Sequence, residues 1–241
     1  LSKRKQRQVI DFNEAKGNAN HALKVERARK VELIPRNTAQ ETYASQLLDP
    51  TNRISFALGP AGTGKTYMAV LRAIMALKNR DVSRIVVTRP AVSVDEQHGF
   101  LPGDLNQKME PWTRPIFDVF EEFWSPDEIQ YMLQDRVIEI CPLAYMRGRT
   151  FKNAFIIADE MQNSTTEQMK MLLTRTGSGS FMSVTGDGNQ HDRGFEKNGL
   201  QDFVNRIIGQ KIKGISVVQF ERKHVERDPI VETVLELYGE E

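Results

Sequence analysis

Short apolar, β-branched runs alternate along this chain with longer stretches in which apolar residues recur every three or four positions. The runs Ile54–Leu58, Arg84–Thr88, Val137–Ile140, Phe155–Ala158, Phe181–Thr185 and Ile215–Gln219 have the length and composition of buried strands. Helical spacing follows at Lys65–Leu77, Pro111–Phe123, Thr165–Thr174, Leu200–Ile208 and Ile230–Leu237. This order predicts an α/β fold with a mostly parallel central sheet and helices on both faces. Ligands of such sheets bind beyond the carboxyl ends of the strands, so the residues that follow each run become the candidates for chemistry.

Two stretches break the alternation. Residues 1–36 are polar and only weakly periodic; they read as an arm, partly helical around Ala22–Val31, in front of a single domain over 37–241. Residues 89–111 carry three prolines and two glycines without clear periodicity, and a connection of that length suggests a functional loop.

Composition adds constraints. Hydrophobic residues at 39% and charged residues at 27% fit a globular protein rather than a disordered one. No apolar stretch approaches the ~20 residues that cross a bilayer, and the basic N-terminus lacks the apolar core of a secretion signal, so a cytoplasmic protein without a membrane partner is expected. Cys141 has no second cysteine to pair with and ends an apolar run, which predicts a buried structural thiol. The net charge of +1 hides an asymmetry: residues 1–36 hold ten lysines and arginines against four acids, leaving 23 basic and 28 acidic residues in the remainder. Such an arm either meets a polyanion or is a solvated tail.

Three strand ends carry chemistry. Gly59-Pro60-Ala61-Gly62-Thr63-Gly64-Lys65-Thr66 matches the phosphate-loop pattern, and it follows a predicted strand and opens a predicted helix. Its glycines let successive backbone amides converge on phosphate oxygens at a helix N-terminus; Lys65 reaches the β- and γ-phosphates of ATP, and the Thr66 hydroxyl binds Mg²⁺. Phe155-Ile-Ile-Ala-Asp159-Glu160 ends a second strand in two acids. Asp159 is placed to hold Mg²⁺ through water, and Glu160 to take a proton from the attacking water, which favours hydrolysis over transfer to another substrate. The third is Thr185-Gly-Asp187-Gly-Asn-Gln190, where Gln190 senses the γ-phosphate, with Asp187 orienting it, if this strand lies between the other two. The competing reading is a Gly/Asp/Asn turn selected for its backbone conformation.

Together with Thr88-Arg-Pro-Ala91, Gly99-Phe-Leu-Pro-Gly-Asp-Leu105, Pro142-Leu-Ala-Tyr-Met-Arg-Gly-Arg-Thr150 and Asp159-Glu-Met-Gln-Asn163, these elements resemble the PhoH-like proteins over residues 37–237. The resemblance implies a RecA-like P-loop NTPase core related to superfamily 1 helicases, with ATP, Mg²⁺ and RNA or single-stranded DNA as ligands. Two positions depart from the family pattern: Met161, where alanine is usual, and His191, where an apolar residue is. By the same resemblance Gln40 reads the adenine edge, against a plain helix-surface glutamine. Arg89, Arg147 and Arg149 meet nucleic acid or pair with neighbouring acids. Trp112 and Phe100 suit core packing better than base stacking.

A superfamily 1 helicase completes its site with an arginine from a second such domain, and residues 37–241 suffice for one. The expectation is a homo-oligomer, such as a hexameric ring, in which Arg227 of one copy reaches the γ-phosphate of the next, with Arg222 and Arg175 as alternatives and a local cap to Asp228 or Glu226 as the competing role for Arg227. ATP-driven binding or unwinding of RNA is the leading function. The alternative is a nucleotide-switched assembly module; a small-molecule kinase is weaker because Glu160 suits water.

Overall fold

The computed structural model describes residues 30–90, 105–188 and 198–226 together with Ile230, Val231, Val234 and Leu237, and only the backbone of 105–111. Its elements, in chain order, are α1 (Thr38–Leu48), β1 (Ile54–Leu58), α2 (Lys65–Lys78), β2 (Arg84–Thr88), α3 (Leu105–Glu121), α4 (Pro126–Gln134), β3 (Ile138–Ile140), β4 (Ala154–Ala158), α5 (Thr166–Leu173), β5 (Phe181–Gly186), α6 (Gly199–Ile207) and β6 (Ile215–Gln219). Single 3₁₀ turns fall at Leu143–Met146, Met161–Asn163 and Arg222–His224. Among the described residues no helix is long and apolar enough to cross a membrane.

The six strands form one sheet in the order β3-β2-β4-β5-β1-β6, and every pairing is parallel. Registers such as Phe56 opposite Val184 and Ile156 opposite Met182 set the alternation that sorts side chains to two faces. Ala57, Val87 and Ile157 point to one core with Tyr43 of α1, Ile74 of α2, Phe120 of α3 and Ile129 of α4. Phe56, Val86 and Ile156 point to the other with Leu172 of α5 and Leu200 of α6. Strands buried on both faces are why their sequences read as continuous apolar runs.

All six strand expectations hold to within a residue at each end, and α2, α5 and α6 fall where the periodicity places them. The four described positions between Ile230 and Leu237 are helical as expected. Three expectations are corrected. The connection after β2 is not structureless to residue 111, because α3 begins at Leu105 and carries Pro111 and Pro115 inside it; a proline read as a helix start stood seven residues into one. Helix α4 begins where Ser125 and Glu128 form a reciprocal cap around Pro126, and the sequence reading passed over it. Helix α1 was likewise unassigned, although Asn37 caps it by accepting from the Gln40 amide.

Lys30 and Val31 carry no helix, and residues 22–29 lie outside the described residues. Val31 is buried in the first core and Leu33 packs against it, within the stretch assigned to the arm.

Candidate nucleotide-binding site

Strand β1 delivers the phosphate loop to the carboxyl edge of the sheet, and α2 starts from it. Gly59 adopts φ 136°, and a Cβ there would lie 2.4 Å from the Phe220 carbonyl oxygen, so only glycine lets the loop leave the strand this close to the chain beyond β6. Gly62 and Gly64 both adopt φ near 80°, which turns the backbone into the α2 N-terminus. The end of β6 braces the loop. Phe220 donates its amide to the Leu58 carbonyl at 2.6 Å, and Glu226 donates its own to the Gly62 carbonyl at 2.9 Å. Asn37 joins this brace to α1 by donating to Glu226 and to the His224 carbonyl.

The loop, Asp159, Glu160, Gly186 and Asp187 line one cavity of about 300 Å³. Lys65 is buried there, its ammonium donating to the carbonyls of Gly59 and Pro60 at 2.6 Å each and to the Thr63 hydroxyl at 3.1 Å. Burial pushes its pKa below the usual lysine value, while Asp187, Glu160 and Asp159 pull it back up. The Thr66 hydroxyl donates to Asp159 Oδ1 at 2.8 Å, and Thr185 donates to the same oxygen. This pair brings one hydroxyl and one carboxylate together at the cavity floor. Hard oxygen donors of that kind fit Mg²⁺, whose remaining positions are commonly filled by water and phosphate oxygens. No group of three or more metal-ligating side chains occurs among the described residues, and a phosphate-bound Mg²⁺ needs none.

Glu160 adopts φ 53° and ψ 38°, a left-handed conformation that costs a non-glycine residue about 1–2 kcal/mol. Its carboxylate accepts from Gln162 Nε2 at 2.5 Å and lies 3.8 Å from an Arg89 guanidinium nitrogen. Gln162, to which the sequence reading assigned no role, uses its carbonyl oxygen to accept from the Asp187 amide at 3.2 Å, so one side chain ties the ends of β4 and β5 together. A Cβ on Gly186 would come within 2.6 Å of that oxygen. The tight turn Met161–Asn163 is what swings Gln162 back to Glu160; its spacing two residues beyond the acid was the available signal. Strand β5 does lie between β4 and β1, the arrangement on which a γ-phosphate sensor depends. Gln190 itself lies outside the described residues, as does Arg227. Asp187 lines the phosphate cavity directly.

Gln40 is buried rather than on a helix surface. Its amide donates to the Thr63 carbonyl at 3.1 Å and accepts from the Arg36 amide at 2.8 Å. It borders a second cavity of about 930 Å³ that shares Gly62, Gly64 and Tyr67 with the first and extends past Ile34, Leu71 and Phe123. A small polar cleft opening into a larger one with an apolar wall fits phosphates joined to a nucleoside.

The arginines separate. Arg89 reaches Glu160 and donates to the Trp112 carbonyl at 3.1 Å. Arg149 pairs with Glu139 at 2.5 Å and stacks 4.5 Å over the Phe151 ring, lining a different cleft beside the β3 edge, and Arg147 is exposed on the turn before it. Arg175 is held by the carbonyls of Met171 and Arg149. Phe100 falls outside the described residues, and Trp112 is half-buried on α3. The Cys141 thiol is buried, as expected, and burial raises its pKa.

A phosphate loop on β1, an acidic pair after β4 and a strand threaded between them define a P-loop NTPase of the RecA-like α/β class. A family model described as PhoH-like protein matches residues 32–239. The chain belongs to the PhoH-like protein family. It is 47% identical over 186 residues to a PhoH-like protein of Synechocystis sp., an alignment covering 77% of this chain and 56% of that one. Against a PhoH-like protein of Bacillus subtilis it is 46% identical over 192 residues, covering 79% and 59%, and against Protein PhoH of Escherichia coli 41% over 211 residues, covering 86% and 58%. The chain thus spans a little under three fifths of the length of these relatives. A Sulfolobus solfataricus SWI2/SNF2 ATPase core in complex with dsDNA overlaps 66% of the chain with a TM-score of 0.37 at 14% identity and covers 34% of that structure; the family assignment stands on the sequence matches.

Proposed function

We propose that this chain hydrolyses ATP with Mg²⁺ and couples the reaction to binding or unwinding RNA or single-stranded DNA, working as a homo-oligomer. The observation that carries the reading is the convergence, in one cavity, of Lys65, the Thr66–Asp159 pair and a Glu160 carboxylate held from two sides. Lys65 trades its loop carbonyls for phosphate oxygens. Thr66 and Asp159 would hold the metal, which when bound screens phosphate charge. Glu160 accepts a proton from water as the water oxygen bonds to the γ-phosphorus and the bond to the ADP oxygen breaks. Gln162 and Arg89 fix the carboxylate's direction, so little reorientation is left for the reaction step. The adjoining cavity takes the nucleoside, with Gln40 at its mouth.

Support for a nucleic-acid partner comes from the basic residues 1–36 and from exposed Arg147 near the strand ends. A specific observation favours the alternative, a nucleotide-switched assembly module: Arg89 and Arg149 are both engaged within the chain. One assay separates the two. Steady-state ATP hydrolysis is measured with and without single-stranded RNA and single-stranded DNA; stimulation is expected, and an identical rate in all three conditions leaves the assembly module as the reading.

A further inference from the structure

Two apolar surfaces remain uncovered on the subunit. The first is a stripe on the C-terminal helical segment: Ile230, Val231, Val234 and Leu237 are all exposed, Leu237 at 82%. At a helical step these four fall within an arc of about 120°, the width of a face that normally packs against something. The second is a groove of about 780 Å³ along the free edge of β6. Ile207, Ile208, Ile212, Ile215 and Val217 supply its apolar wall, with Ile208 72% exposed, and Lys211 and Lys213 stand on its rim.

Resting on the oligomer reading above, we propose that the Ile230–Leu237 stripe of one copy seats in the β6 groove of the next. Charge selects this occupant. Residues 230–241 contain four glutamates and no lysine or arginine, whereas the groove is rimmed by two lysines on the loop 209–213. Shape agrees with charge, because an amphipathic helix laid in an apolar groove presents residues at i, i+4 and i+7, the spacing of Ile230, Val234 and Leu237. The two surfaces are different patches of one subunit, so their contact is head-to-tail and repeats from copy to copy. It closes as a ring if the rotation per subunit divides a full turn. It also leaves β6 without an open edge, the position at which a sheet otherwise invites mispairing.

Proximity cross-linking tests this. Val234→Cys and Ile208→Cys are made separately in the full chain, whose native Cys141 is buried. The two are mixed and treated with a short bis-maleimide. A covalent dimer is expected from the mixture and not from either variant alone. If the chain carrying both substitutions links only within itself, the stripe covers its own groove and the proposal is overturned. A second arm uses Val231→Glu with Val234→Glu, substitutions at exposed positions that leave the core untouched. Sedimentation is expected to shift toward the monomer while each subunit binds ATP with wild-type affinity; unchanged sedimentation overturns the interface. If the wild-type chain sediments as a monomer at every concentration, the oligomer reading and this interface fall together. If it assembles and both arms fail, only this interface falls.

Discussion

Lys65 and Glu160 stand within one small cavity but do separable work. Removing the Lys65 ammonium deletes charge-assisted hydrogen bonds to phosphate, so Lys65→Ala should weaken ATP binding by about 10- to 100-fold. Glu160→Gln keeps the shape and loses the proton acceptor. It should bind ATP near the wild-type level and hydrolyse it about 10²–10⁴-fold more slowly. Equilibrium titration with a fluorescent ATP analogue, paired with phosphate release, reads both; a parental rate for Glu160→Gln would remove it as the base. Gln162 acts through Glu160 rather than on substrate. Gln162→Leu frees the carboxylate and the Asp187 amide together, so kcat should drop at least tenfold with ATP affinity unchanged, and Gln162→Glu, which retains the acceptor for the Asp187 amide but not the donor for Glu160, should not rescue it. Equal loss of affinity and rate would mean that Gln162 merely supports the fold.

At the scale of elements, the phosphate loop depends on its fit against the end of β6. Gly59→Ala would place a methyl group against a backbone carbonyl, with φ in a region closed to alanine. Stability should fall by roughly 1–3 kcal/mol and ATP binding should be lost, measured by thermal denaturation with and without nucleotide; a variant that still gains stability from ATP would show that the loop tolerates another path. The sheet itself was legible because each strand is covered on both faces and therefore spelled as an apolar run, and the phosphate loop because its backbone geometry demands glycine at fixed spacing. What escaped the reading depends on partners distant in sequence. Gln162 acquires its role only when β5 settles beside β4. Tyr43, whose hydroxyl meets Ser183 at 2.5 Å inside the core, belongs to a helix with so weak an apolar periodicity that α1 went unassigned. Helix α3 was half hidden by prolines that usually begin helices and here do not.

At the scale of the molecule, two expectations concern what the subunit meets. Deleting residues 1–30 removes nine of the ten basic side chains ahead of the domain. Affinity for single-stranded RNA should fall and its slope against log salt should flatten by roughly one unit per lost phosphate contact, with basal hydrolysis little changed; an unaltered slope in a binding titration returns the arm to a solvated tail. The arginine lent between copies is tested by mixing Arg227→Ala with Glu160→Gln, each expected to be inactive alone. Mixed oligomers contain interfaces with both groups intact and should recover part of the hydrolysis, whereas no recovery despite verified subunit exchange would confine Arg227 to its own chain. The short stretch Phe220–Glu226 gives such contacts a route inward. It is pinned to the phosphate loop at Leu58 and again at Gly62, and to the cap of α1 through Asn37. A tug on the chain beyond residue 226 is therefore delivered to the loop that grips the nucleotide, and a loop that tightens around phosphate pulls back on whatever holds the chain's far end.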